Sequence, residues 1–402
     1  MLTPPPITIE IGRKPYPDVA ALMCYFGLSC DAGCLATQTE IIKESLMEWL
    51  AAREVHISGG IRVLSYDKSC NFLYPGDMTG EKKAIEINNY TSLFSDIRNL
   101  GLEVVGCDFF TGPHAHARPE WRVKPSLGSG WLTWDQGRDW SFIANGAFKK
   151  NDSQLYDIAT RISHQFRSCE WRVRQLSEAY MDQLNSKLQS GDFKDGQRFL
   201  DGYTELCYLA AQTFLIDACT LRDYLIEFYW YVKPTGSANI TSIGALCSHW
   251  RKNPPTDPHG VEIQEVSSPG NWLDTLGSYR NLIIHAAPLA TAGATLYAIT
   301  GIVKLPNAES LPFVKLPLPS DPGKLKADRT SGKHFDDPSL RRARFHNIIE
   351  KAEAVTALDS LSYAHSCMEK LSIWAASLAE LSPVEAEIPV IVPIPGSFKT
   401  NS

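Results

Sequence analysis

Residues 155–188 read LYDIATRISHQFRSCEWRVRQLSEAYMDQLNSKL, and the spacing of their apolar side chains decides the fold class. Leu155, Ile158, Ile162, Phe166, Cys169, Val173, Leu176, Tyr180, Leu184 and Leu188 recur at steps of three and four, the period of one face of a long α-helix. Gly191-Asp192 breaks the run. A second helix is expected from about Gln197 to Val232, apolar nearly all round and therefore central to a bundle, and stopped by Pro234-Thr235-Gly236. Further along, Thr241 to Arg251 is expected to be helical and Pro254 to Gly270 a loop. A third helix runs from Trp272 to about Ala287.

Two strand-like runs, Tyr297 to Leu305 and Phe313 to Leu318, suggest a hairpin inserted before the last helix. A charged loop with Lys324, Lys326, Arg329 and Lys333 follows. Asp337-Pro338 supplies a cap and a first-turn proline for a helix to about Leu381, striped by Phe345, Ile348, Ala352, Val355, Leu358, Leu361, Met368, Leu371, Trp374 and Leu378. The proline-containing tail reads as extended.

On the N-terminal side the pattern is α/β. Ile61–Tyr66, Lys83–Ile87 and Leu102–Cys107 read as strands, and Tyr90–Leu100 as a helix capped by Gly101. Thr37-Gln38-Thr39-Glu40 has capping-box spacing and opens a helix to about Arg53. Trp121, Trp131, Trp134 and Trp140 crowd a stretch that reads as irregular or β. The expected architecture is α+β: an α/β domain over 1–150, a helical domain over 151–385 built on four long helices, and a tail over 386–402.

With 402 residues, 44% hydrophobic and 21% charged, the chain has the composition of a folded protein large enough for more than one core. Its net charge of −6 argues against broad coating of nucleic acid but leaves room for a local basic site. Ten cysteines are scattered without a framework of regular spacings, and the N-terminus (Leu2-Thr3-Pro4-Pro5-Pro6) lacks a basic-then-apolar pattern, so a cytoplasmic protein with reduced thiols is expected. Leu282–Val303 is apolar and free of formal charge, yet it holds His285, Pro288, Gly293 and Gly301; it reads as buried, with no membrane partner.

The third helix carries Ser278-Tyr279-Arg280-Asn281-Leu282-Ile283-Ile284-His285. Arg and His also stand at this spacing in Arg329/His334, within a Gly/Ser-containing loop, and in Arg341/His346, beside Arg342 and Arg344 at a helix start. Only Arg280 is followed by Asn, with aliphatic residues up to the histidine. Such residues suit RNA cleavage by the 2′-hydroxyl. Histidine does proton transfer near neutrality, arginine clasps phosphate oxygens in a fork, and no metal is required. On an ideal helix Asn281 and His285 share a face, whereas Arg280 stands about 140° from His285.

Arg280-Asn281-x-x-x-His285 on an apolar helix of a four-helix pattern resembles the signature of HEPN domains, over about residues 152–382. The resemblance implies a four-helix bundle, usually dimeric, and a metal-independent endoribonuclease without cofactor, of the kind found in prokaryotic toxin–antitoxin and defence systems. Its partners would be RNA, a second copy of the chain, and an antitoxin or regulatory protein. Catalysis is expected from Arg280, Asn281 and His285. A branch of the family with an aromatic-Arg-Asn run after a Trp-Leu helix start, as at Trp272-Leu273 here, also has an acid in the second helix. Asp223 is the candidate for it and Asp217 the alternative. A structural ion pair of Asp223 with Arg222 or Arg280 is the plainer reading. Arg341, Arg342 and Arg344 are candidates for holding substrate phosphates, against a solvated basic face. The alternative function is a non-catalytic module that binds RNA or nucleotide, or a dimeric regulatory scaffold.

Other constellations are weaker. His114 and His116, with Cys107 and Asp108 nearby, suggest a metal site less readily than a solvated loop, since no paired ligands stand at fixed spacing. Cys24, Cys30 and Cys34 read as buried thiols. Ser58-Gly59-Gly60 and Gly128-Ser129-Gly130 lack the lysine and helix start of a phosphate loop.

Overall fold

In the computed structural model residues 52–66, 69–73, 83–86, 90–109, 120–126, 132–234, 238–285, 297–305, 310–330 and 358–389 are described. The N-terminal elements are β1 (Ala52–Ile57), β2 (Arg62–Tyr66), β3 (Ser69–Leu73), β4 (Lys83–Glu86), α1 (Tyr90–Asn99), β5 (Val104–Phe109), β6 (Glu120–Val123) and α2 (Leu132–Lys149). Then come α3 (Ser153–Gln189), β7 (Arg198–Phe199), α4 (Gly202–Val232), α5 (Ile243–Trp250), α6 (Pro258–Val266) and α7 (Trp272–His285). The last are β8 (Ala298–Lys304), β9 (Ser310–Lys315), α8 (Pro322–Thr330) and α9 (Ser360–Ala379).

Asp152 caps α3, its carboxylate accepting the Leu155 amide at 3.0 Å. The apolar stripe from Leu155 to Leu184 is buried, and Leu188 packs at its edge. Thirty-seven residues make α3 about 55 Å long. It packs against α2, α4, α9, β5 and β6, and is the element around which the others gather. Elements on both sides of residue 150 share one hydrophobic core, within a unit spanning Leu46–Glu387.

Strands β1–β6 form an antiparallel sheet in the order β4-β3-β2-β1-β5-β6. Alternation puts Val55, Ile57, Val63, Val105 and Cys107 on the side where α1 packs against β5. The opposite face, towards α3, carries Glu54, His56, Arg62, Asp108 and Trp121. Between β1 and β2, a 3₁₀ turn at Ser58–Gly60 presses on α3. A Cβ at Gly60 would lie 2.5 Å from the Tyr180 carbonyl oxygen, and its φ of +85° also requires glycine. This glycine run is thus a packing device. A second sheet, β7-β8-β9, contains the expected hairpin. Its second strand begins at Ser310 and stops at Lys315, short of the expected Leu318, because Leu316 and Leu318 bond instead to Asp359 and Leu358.

Mixed α and β structure agrees with the sequence; several local elements do not. Arg53 lies in β1, not at a helix end. In the tryptophan-rich stretch that reads as irregular or β, Trp121 does lie in β6, but from Leu132 the chain forms α2, and Trp140 is buried edge-on to Phe228. Glycine inside that helix serves packing: a Cβ at Gly146 would collide with the chain at Glu385. Asp257 and Pro258 start α6 within the expected loop, and Asp321 caps α8 within the expected charged loop. α9 begins only at Ser360, because Asp359 is extended and accepts the Ser362 amide. Nor is α4 enclosed: Tyr203, Leu206, Leu209 and Ile216 form an exposed stripe, which apolar composition alone cannot distinguish from a buried face. No helix among the described residues is long and apolar enough to cross a membrane.

Candidate functional site

α7 is held by Leu273, Leu276, Tyr279 and Leu282, a buried stripe at three-residue steps. The Tyr279 hydroxyl donates to the Pro319 carbonyl at 2.6 Å, its ring meets Tyr363, and Trp272 meets Trp374 of α9 edge-on. The Cys219 thiol on α4 lies 3.7 Å from the Leu276 carbonyl oxygen, which fixes the crossing of α4 and α7. Arg280 and Asn281 occupy the half-buried flank. Nη1 of Arg280 donates to Oδ1 of Asn281 at 3.2 Å, so the asparagine fixes one edge of the guanidinium. His285 is exposed in the last turn, and no hydrogen bond among the described residues joins it to Arg280 or Asn281.

The neighbouring charges come from α4. Arg222 lies against Gly277, its Nη1 being the nearest atom, at 3.1 Å, to a Cβ built there. Its Nε donates to Asp223 at 3.0 Å, and the same carboxylate oxygen accepts the Ile243 amide that begins α5. Asp223 therefore stands in the ion pair with Arg222 that the sequence offers as its structural role. Asp217 pairs with Arg172 at 2.8 Å. Burial pushes the Cys219 thiol up to about 11, against the field of Arg222 and Arg280. Arg341, Arg342, Arg344, His114, His116, Cys24, Cys30 and Cys34 lie outside the described residues.

A second polar group, invisible as a motif, lies between the sheet and α3. His56 Nε2 is 3.2 Å from Asp108 Oδ2, and Nδ1 is 3.2 Å from the Ser177 hydroxyl. Arg174 donates to both Asp108 oxygens at 2.9 Å and bridges to Glu178. Arg62 donates to the Ser177 carbonyl at 2.7 Å. Trp121 packs against His56 with centroids 4.6 Å apart and the rings tilted at 53°; it fits because Gly106, beneath the indole, has no side chain. Burial, reinforced by Arg62, pushes the imidazole down to about 3 despite Asp108, so it is neutral at pH 7.

The connectivity Ser177–His56–Asp108 is that of an acyl-transfer triad, but accessibility decides against that chemistry. These residues are 0%, 1% and 1% exposed, and Arg174 already engages both oxygens of the aspartate. Glu54, His56 and Asp108 also bring potential ligand atoms within 4.8 Å of one another, as a metal ion would need. Arg174 on Asp108, and Arg62 at 3.8 Å from Glu54, supply positive charge there already. The group fastens sheet to helix. No protein family, characterised protein or solved structure in the comparisons matches the chain.

Proposed function

We propose that the chain is a metal-independent endoribonuclease of the HEPN type, cutting RNA through attack of the 2′-hydroxyl on the adjacent phosphorus. The observation that carries this reading is the Arg280–Asn281 hydrogen bond on the flank of α7, with an exposed histidine at the end of the same helix. The oriented guanidinium would bind the scissile phosphate and stabilise the charge of the phosphorane. His285 would move the proton, taking it from the 2′-hydroxyl or delivering it to the leaving 5′-oxygen.

Within one copy Arg280 lies on the flank and His285 at the exposed end of α7, so the proposed site is completed by α7 of a second copy. A two-fold axis would then bring two arginines and two histidines to one cleft. The exposed apolar stripe on α4 is surface that a partner would cover.

The test is incubation of the purified chain with single-stranded RNA in excess EDTA, followed by analysis of product ends. Fragments with 2′,3′-cyclic phosphate or its opened form and 5′-hydroxyl ends are expected, and DNA remains uncut. Cutting of single-stranded DNA, or 5′-phosphate ends that need a divalent ion, would overturn the proposal. That no hydrogen bond among the described residues joins His285 to Arg280 or Asn281 favours a second reading, in which Arg280 binds RNA without cleavage. Retention of RNA with no products under these conditions would support it.

A further inference from the structure

A cavity of about 280 Å³ lies where α1, the start of β5, the segment after β6 and α9 meet, away from α7 and from the His56 group. Phe94, Leu102, Val104 and Pro125 give it apolar walls. Two cations line it. Arg98 comes from the exposed side of α1, whereas Lys124 is only 4% exposed, its ammonium 5.3 Å from the centre of the Phe94 ring.

The segment that presents Lys124 is fixed. His365 Nε2 donates to the Lys124 carbonyl at 2.5 Å, and its imidazole, 1% exposed, forms part of the wall. One turn along α9, Glu369 accepts the Ser126 amide at 3.0 Å and the Ser126 hydroxyl at 2.8 Å, while Arg98 donates to the Ser126 carbonyl. A cationic side chain is thus held at an apolar cavity before any ligand arrives, which lowers the ordering cost of binding. Burial pulls the lysine below its ordinary range; Cys107 opposes that shift and Arg98 adds to it, so a negative group in the cavity would favour the charged ammonium. Glu103, exposed at the rim, disfavours ligands of higher negative charge.

We propose that this cavity binds a small organic monocarboxylate, its carboxylate taken by Lys124 and Arg98 and its small apolar body resting on Phe94, Leu102 and Val104. An aromatic or branched aliphatic acid fits this description. Polyanions and neutral analogues do not. The inference is independent of the ribonuclease reading.

Calorimetry and thermal melting of the full chain with benzoate, phenylacetate and isovalerate test it, with benzyl alcohol and inorganic phosphate as comparisons. At least one carboxylate should bind saturably, with Kd on the order of 0.1–1 mM, and near saturation raise Tm by roughly 2 °C. Benzyl alcohol and phosphate should do neither. Lys124→Met should weaken carboxylate binding by about tenfold or more. Should that variant fail to fold, Arg98→Gln, at an exposed position, should weaken binding about threefold or more while still melting cooperatively. The proposal is overturned if none of the three carboxylates binds at 10 mM (roughly tenfold above the weakest expected Kd). Benzyl alcohol or phosphate binding as tightly as the best carboxylate, or unchanged affinity in the folded variants, would equally overturn it.

Discussion

Replacing His56 by glutamine separates the acid sensitivity of the buried imidazole from its packing. In the folded chain its pKa falls from the ordinary 6.5 to about 3, first through burial and then through Arg62, with Asp108 opposing. The unfolded chain therefore binds more protons between these values. The stability that the neutral imidazole contributes is complete above about pH 6.5 and is lost as pH falls towards 3. One proton corresponds to about 1.4 kcal/mol per pH unit, so wild type should lose roughly 2 kcal/mol from this group by pH 5, and at most about 5 kcal/mol over the whole window. Glutamine can still donate to Asp108 but loses the Ser177 hydroxyl and the ring contact with Trp121, costing about 2 kcal/mol at pH 7. It does not titrate. Glu54, Glu178 and Asp182, all raised by burial, titrate in both proteins and largely cancel in the difference. Urea unfolding at pH 7, 6 and 5 should show His56→Gln destabilising by about 2 kcal/mol at pH 7 and by nearly nothing at pH 5. A penalty that stays constant from pH 7 to 5 would refute the claim that the folded protein holds His56 neutral.

Arg280→Ala and His285→Ala should each lower RNA cleavage by about 10²–10⁴-fold. His285→Ala should leave the melting temperature unchanged, and His346→Ala should cleave like wild type; initial rates on a labelled RNA with parallel melts read all three. Gly60→Ala should destabilise by more than about 2 kcal/mol in urea unfolding, since it combines a positive φ with a Cβ against the backbone of Tyr180. Tyr180→Phe should cost about 1–3 kcal/mol, because the hydroxyl bonds to Asp359 and Ser360, each at 2.7 Å, in a site without access to water. An effect below about 0.5 kcal/mol would show that Asp359 finds another donor.

The sequence reveals α3 best, because a helix buried along one stripe writes its burial into a period of three and four, and that stripe is the buried one. α2 is harder to read. Gly137 and Gly146 imitate breaks, and the need for glycine at position 146 arises from a chain segment more than two hundred residues away. His56 escapes for a related reason. Its partners Asp108 and Ser177 are 52 and 121 residues distant, and the polar face of β1 looks like one turned to solvent until α3 is placed over it. Arg280, Asn281 and His285 are conspicuous as a motif, and their helix follows from its own apolar spacing. That Asn281 grips Arg280 while Asp223 is engaged with Arg222 depends on side-chain geometry that no spacing encodes.

The long helix α3 also limits how the protein can be dissected. A fragment beginning at residue 151 keeps α3 whole but strips it of α2 and the sheet. Glu170, Arg174 and Ser177 would lose Trp121, Asp108 and His56, and the seam that α2 covers would meet water. Such a fragment should aggregate or fold poorly whatever the merit of its remaining helices, and its inactivity would say nothing about Arg280 or His285. Point substitutions in the intact chain, not excised halves, are the route to assigning what each part does.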